Sequence, residues 1–351
     1  MSSLKENGSA LRFALGLACF IIIVAGMKAA AAIIVPFLLS AFIAIICAPG
    51  INTLKSKGLP MWLALSVVVA VVGLAGMLVV SILGSSIHNF SQQLPEYQDR
   101  LQAEIGSLSS WAAAHGFSWY DEVVKKTINP GVALGFVGTV FNGLGNLLTN
   151  GFMIFLTVMF LLFEGVALKD KVKYITGKVT DQDMQQLNQF LEDVNKYIAI
   201  KSLTSLVTGI LISLIMWALG VDYALLWGLL AFLLNYIPNI GSIIAAIPAV
   251  LLAFVTAGPA TALWVIAGYL LVNTLVGNII EPKFLGDRLG LSTLVVFLSL
   301  VFWGWVLGTT GMFLSVPLTM VVKLALETRP ETQWLAVLLG SGAHLQEQAK
   351  S

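Results

Sequence analysis

The sequence predicts an all-α polytopic membrane protein of about seven to eight membrane segments, two of them re-entrant helical hairpins in a weak inverted repeat, with a polar helical insert. Three observations carry that expectation. Hydrophobic residues make up 58% of the 351-residue chain against 11% charged, and mean hydropathy is +0.91, so lipid rather than water is the solvent. Apolar runs of roughly membrane-spanning length, about 20 residues, repeat from end to end. In the last third, polar and helix-breaking residues interrupt two of these runs, at 235–242 (NYIPNIGS) and 303–312 (WGWVLGTTGM).

The first two spans cover 13–27 and 30–48, parted by Lys28 and closed by Pro49-Gly50. Lys5 and Arg12 ahead of an apolar run can mimic a secretory signal, but a second apolar run follows at once and the rest of the chain is polytopic. A short basic loop with Lys55 and Lys57 leads to the third span, 61–87. The insert, 88–147, then changes composition. Gln92, Glu96, Arg100 and Glu104 alternate with Leu94, Leu101, Ile105 and Leu108, whose spacings of seven, four and three put them on one helical face. This predicts a water-facing helix with one apolar side laid along the membrane surface. The region 148–197 holds a fourth span followed by a polar helix, and a fifth span covers 198–219.

Next comes 223–255, two apolar arms joined at NYIPNIGS. Each arm is about 16 residues, or about 24 Å at the helical rise, against a hydrocarbon core of about 30 Å. A re-entrant hairpin fits that shortfall; two full spans with little tilt would give the same sequence. A full span at 260–280 follows, then a second pair of short arms, 291–326, around Gly308-Thr309-Thr310-Gly311, and a polar tail, 327–351. Unpaired backbone groups cost several kcal/mol each in hydrocarbon, so breaks of this kind persist only when packed in protein or lining a wet cavity.

Charge orients the chain. With a cytoplasmic N-terminus, Lys28, Arg100, Lys125 and Lys126 fall outside, and the other fifteen of 19 Lys and Arg fall inside. That arrangement puts the C-terminus in the cytoplasm, the insert on the outer side and the hairpins on opposite faces. Residues 198–255 then read as an inverted counterpart of 260–326, a layout that encloses a substrate site near the midplane.

Several function classes drop out. Cys19 and Cys47, the only cysteines, exclude a disulfide framework. No nucleophile-elbow, zinc-protease, Walker or C-x-x-C pattern occurs, and His88, His115 and His344 are scattered over polar segments, so neither an enzyme, a metal site nor a cofactor is expected. A net charge of +1 without a basic arm gives no reason to expect nucleic acid.

Asn235, Asn239 and Ser242 surround Pro238 at the first joint, Asn273 and Asn278 lie on the intervening span, and Thr309 and Thr310 form the second joint. Uncharged amides and hydroxyls of this kind can line a site for a small polar solute; they can equally cap broken helix ends. Pro238, Gly241, Pro282, Gly308, Gly311 and Pro317 read as hinges and breakers. Glu281, close to Lys283, Asp287 and Arg288, and Glu164, at the end of the fourth span, are the coupling candidates. A carboxylate beside a span is functional by default, with interfacial ion pairing as the alternative.

Five segments carry a family resemblance: Asn235-Tyr236-Ile237-Pro238-Asn239-Ile240-Gly241-Ser242, Gly277-Asn278-Ile279-Ile280-Glu281-Pro282, the run from Leu289 through Phe297, Phe302-Trp303-Gly304-Trp305, and Gly311-Met312 through Val316-Pro317-Leu318. Together they resemble the signature of the bacterial autoinducer-2 exporter family, and the layout matches along essentially the whole chain. The Thr309-Thr310 pair departs from the less polar residues of the branch it most resembles. The resemblance implies a bacterial inner-membrane protein, homo-oligomeric and pentameric, that exports a small polar quorum-sensing signal by alternating access of a hairpin-bearing domain. On that footing 1–87 is the scaffold and oligomerisation region and 198–326 the transport domain. A monovalent cation/proton antiporter is one alternative, although it calls for carboxylates at membrane depth; a non-transporting scaffold or channel is another.

Overall fold

The computed structural model describes residues 2–115, 135, 138, 150–164, 181–238, 240–285, 291–327 and 331–340. Among these the secondary structure is helical, with no strand. Five helices are long and apolar enough to cross a membrane. The chain packs as two units, Ile45–Leu289 and Met1–Ala44 with Gly290–Ser351.

In the larger unit, α2 (Ala31–Ser56) ends at Gly58, whose φ of 90° suits a glycine. Leu59 N–H bonds back to Leu54 C=O at 3.2 Å and Pro60 follows, so the turn uses up the last carbonyls and then stops the helix. The next helix, α3 (Met61–Ala114), has 54 residues, about 80 Å at 1.5 Å per residue. It therefore carries the third span and the first part of the polar insert as one continuous helix, with Pro95 in its interior. The apolar face expected against the membrane surface packs into protein instead: Phe90, Tyr97 and Leu101 are buried in the unit's core, with Leu94 and Ile105 against it. A membrane surface could cover only one side of such a face, whereas the paired helices of the first hairpin enclose it. A short apolar helix, α4 (Asn150–Glu164), follows, and its Phe155 ring lies against Gly73 of α3.

The long helix α5 (Asp181–Ala218) is amphipathic with the polarity reversed. Its buried side holds Lys201, Thr204, Ser205 and Thr208 beside Ile198, Ile212 and Met216, while Leu203, Leu206, Ile210, Leu214 and Trp217 are exposed. In water that pattern would be unstable, since apolar surface is left out and polar groups are taken in. Against hydrocarbon it is the stable one. At its C-terminus Gly220, with φ 67°, turns the chain, and Val221 N–H bonds Met216 C=O at 3.0 Å.

The first hairpin comprises α6 (Ala224–Leu234) and the first half of α7 (Ile240–Val272), which breaks at Gly258 with φ 82° and ψ 176°. Gly258 stands immediately before Pro259. At Gly241 the returning chain presses on the end of α6: a Cβ there would lie 1.8 Å from Leu234 O. Helices α5 and α6 cross at two glycines, where a Cβ on Gly209 would meet Gly228 O at 2.7 Å and one on Gly228 would meet Gly209 O at 2.5 Å. Such backbone-to-backbone contact is how membrane helices replace the hydrophobic effect as a source of cohesion. After α7 the span at 260–280 does not stay α-helical to its end. Asn273–Ile280 is a π-helical segment of eight residues, followed by α8 (Glu281–Leu285). The wider π turn spreads the carbonyls that the Pro282 ring would otherwise strike.

In the smaller unit, α1 (Ser2–Ala29) ends with Lys28 in its last turn, where positive charge offsets the exposed carbonyls. The second hairpin is α9 (Thr293–Phe313) with α10 (Ser315–Glu327), and a short α11 (Gln333–Leu339) closes the unit. Helix α9 starts on a Ser292 cap that accepts Val295 N–H at 3.2 Å. It breaks at Gly308, with φ 70° and ψ −153°, a region that only glycine enters cheaply. The chain then reverses, so that a Cβ on Gly311 would lie 1.9 Å from Trp303 O. Val24 of α1 packs with Trp303, Val306 and Leu307 in this unit's core.

Candidate functional site

The polar side of α5 meets the tip of the first hairpin. Asn235 Nδ2 donates to Ser205 Oγ at 3.0 Å, and the Tyr236 hydroxyl donates to Ser202 Oγ at 2.7 Å. Ser202 in turn donates to Ile198 O at 2.7 Å. Residues 202 and 205 lie near one end of the apolar stretch of α5, so a tip bonded to them has reached far along that helix.

One turn lower, Lys201 and Glu281 form a two-pronged ion pair, Nζ to Oε1 at 2.7 Å and to Oε2 at 2.9 Å. Their side chains are 6% and 19% exposed. Burying either charge alone would cost several kcal/mol, and the pair endures because each supplies the other's partner. The Thr204 hydroxyl is shared between Lys201 O at 3.1 Å and Glu281 Oε2 at 3.4 Å. Glu281 also closes the π-helical segment, its N–H bonding Val276 O. The pair therefore fastens the end of that segment to α5.

The structure sorts the residues expected from sequence. Asn235 is in the cluster. Ser242 is half-buried in the first turn of α7, and Pro238 accepts Ile240 N–H at 2.6 Å. Asn273 is half-buried and Asn278 exposed, both on the π-helical segment. Glu164 is exposed at the end of α4, and Pro282 is exposed in α8. Asn239, Asp287 and Arg288 lie outside the described residues. Thr309, exposed, and Thr310, buried, belong with Gly308, Gly311 and Pro317 to the other unit. Sequence reasoning named Lys283 and Arg288 as ionic neighbours of Glu281; among the described residues its ionic partner is Lys201, which is 80 positions away.

Lys201, Ser202, Thr204, Ser205, Thr208 and Tyr236 were not among the expected site residues. A usable signal did exist. Ser205-x3-Gly209-x3-Ser213 is a small-residue repeat of the kind that brings membrane helices together, and Lys201 is a lone cation inside an apolar run. Counting that lysine only as an orientation charge hid its partnership.

The second joint has a different interior. Trp303 Nε1 donates to Thr319 Oγ1 at 3.0 Å, and Thr319 donates to Ser315 O at 2.7 Å. Ser315 Oγ is buried and, among the described residues, has no hydrogen-bond partner. Lys28 Nζ stands 4.0 Å from the centre of the Trp305 ring, a cation–π contact.

Outside the ion pairs, both joints and the π-helical segment offer uncharged hydrogen-bonding groups, and no cluster of metal-ligating side chains occurs among the described residues. Comparison with known proteins agrees with a membrane transporter. The chain is 42% identical to a putative transport protein of Haemophilus influenzae over 96% of its length and 98% of that protein's. It is 39% identical to the AI-2 transport protein TqsA of Escherichia coli, covering 94% of this chain and 95% of TqsA. Against the putative transport protein YhhT of Escherichia coli, identity is 35% over 97% and 98% of the two chains. The profile of the AI-2E family transporters matches residues 17–331, and this multi-pass membrane protein belongs to the AI-2E transporter family.

Proposed function

We propose that the protein exports autoinducer-2, or a closely similar small polar metabolite, across the bacterial inner membrane by alternating access of the hairpin-bearing part of the chain. The observation that carries this reading is the first hairpin tip, where a broken helix presents neutral donors and acceptors against a hydroxyl-lined helix. A solute with several hydroxyl groups needs that chemistry, and the relative TqsA is named for autoinducer-2 transport. In this reading Asn235, Asn239 and Ser242 contact the solute, with Asn273, Asn278, Thr309 and Thr310 lining its path.

Both hairpins are re-entrant in this reading and sit on opposite faces. The contact of Tyr97 and Gln93 with Asp222 and Tyr223 supports it, since the sequence assigns the insert and the 220–223 turn to the same outer side. The Lys201–Glu281 pair supports placing the start of α5 and the end of the π-helical segment on the opposite, cytoplasmic side. N- and C-termini are then cytoplasmic, and the chain assembles as a homo-oligomer, a pentamer, through its N-terminal helices. Exposed Ile21, Ile22, Ile33, Leu74 and Met77 give those helices the apolar surface that such assembly uses.

Purified protein in liposomes tests the reading directly, by following autoinducer-2 and Na⁺ with and without a pH gradient. Movement of Na⁺ but not autoinducer-2 would overturn it. Glu281→Gln keeps the shape of the side chain and removes its charge. We expect that variant to lose accumulation against a gradient and to retain downhill flux; uphill transport persisting unchanged would eliminate Glu281 as the coupling group.

A further inference from the structure

Many hydroxyl groups inside helices of this protein donate to a backbone carbonyl of their own helix, and Ser205 and Thr208 on α5 are among those that do not. Ser40, Thr53, Ser66, Thr157, Ser202, Thr256 and Thr319 each donate to the carbonyl one turn back, at 2.7 to 2.9 Å. Bonding of that kind is the default for a hydroxyl with nothing else to do in an apolar surround. Thr208 is 3% exposed and, among the described residues, has no hydrogen-bond partner. Ser205 is fully buried; it accepts from Asn235 and its own hydroxyl proton has no acceptor. On the same bond the Asn235 carboxamide uses its donor and leaves its oxygen unengaged.

Two O–H donors on side chains no more than 3% exposed, and the oxygen of the half-buried Asn235 carboxamide, thus have no partner among the described residues within one helical turn and the tip facing it. Every such group costs free energy unless something takes it up. Immediately above, Gly209 and Gly228 hold α5 and α6 in backbone contact, and the tip lies seven residues beyond Gly228.

The geometry points to a substrate site on α5, in which Ser205 and Thr208 donate to hydroxyl or carbonyl oxygens of a neutral polyhydroxylated solute and the Asn235 carboxamide, swung with the tip about the glycine crossing, closes over it. In the empty protein Asn235 and Tyr236 stand in for the solute by bonding Ser205 and Ser202. This rests on the transporter reading above and adds the helix that forms the opposite wall, and the ligand class follows from the donor set: uncharged, short and oxygen-rich.

Thr208→Val is the decisive variant, because it removes a hydroxyl that no other group of the protein uses and keeps the shape. In liposomes we expect its melting temperature to hold, its KM for autoinducer-2 to rise about fivefold, as for one lost hydrogen bond to an uncharged ligand, and its Vmax to stay unchanged, with Thr208→Ser restoring KM. A correctly folded Thr208→Val protein with native KM overturns the proposal. A second measurement separates the site from the identity of the solute. With Cys19 and Cys47 replaced by Ala, Ser205→Cys, covered while the tip is closed, should react with a small maleimide as the tip swings open, and ligand should slow that reaction; no reaction at all would overturn the site. Protection by the polyol ribitol without protection or transport of autoinducer-2 would uphold the site and defeat the autoinducer-2 reading. Transport of autoinducer-2 with no protection at Ser205→Cys would uphold the transporter and defeat the site, and no protection by either compound would defeat the site as well.

Discussion

The two hairpin joints share a backbone solution and differ in what their side chains do with it. At both, a glycine on the returning arm lies against the carbonyl that ends the first arm, Gly241 on Leu234 and Gly311 on Trp303, and against the β-carbon four residues earlier, Ile237 and Leu307. Beyond that closure they diverge. The first joint is wired outward, through Asn235 and Tyr236, to hydroxyls of another helix, beside a buried ion pair. The second is bonded inward, Trp303 to Thr319 within its own hairpin, and is packed by apolar side chains. Closure is what any sharp reversal in lipid requires. The outward polar wiring is extra, and it gives the first tip partners to exchange.

The largest expected effect tests the shared closure. Gly241→Ala and Gly311→Ala would each push a Cβ to within 1.8 or 1.9 Å of a backbone carbonyl, which cannot rotate away. Each should cost about 3 kcal/mol or more and deplete folded, monodisperse protein. Thermal unfolding in detergent would measure it, and tolerance at one glycine alone would break the equivalence of the joints.

An effect of similar size separates them. Lys201→Met strands Glu281 in a buried place and should destabilise by about 3–5 kcal/mol, and the double variant Lys201→Met with Glu281→Gln should recover most of that loss. The cation near the second joint, Lys28 on Trp305, should cost about 0.5–1 kcal/mol when replaced by Met. Comparable losses at both lysines would erase the contrast.

The smallest effect concerns transport. Asn235→Ala should reduce flux about fivefold at unchanged membrane abundance, the loss of one neutral hydrogen-bonding group. Thr319→Val, which takes the partner of Trp303, should cost about 1 kcal/mol of stability and leave flux intact. Equal flux losses in the two variants would mean that both joints handle the solute.

Much of this contrast was legible as position and little of it as partnership. Composition and run lengths locate the helices, and Pro238, Gly241, Gly308 and Gly311 mark the reversals because backbone constraints act on the residue itself. Lys201 and Glu281 meet across 80 positions, and no local pattern predicts that. The small-residue repeat through Ser205, Gly209 and Ser213 signals a close helix contact, but what the hydroxyls of α5 bond becomes informative only when burial and bonding are known. The π-helical segment at Asn273–Ile280 has no compositional signature beyond Gly277 and the proline after it. The insert's apolar face was readable from spacing, but its cover was not, because a membrane surface and a protein core both select leucine.

Helix α3 is a single helix of 54 residues, with its C-terminal half seated against the first hairpin. A rod of about 80 Å converts a tilt of about 5° into a sweep of about 7 Å at its far end. A probe on Ala114, exposed at that end, would make such a tilt visible. The protein carries its own pointer.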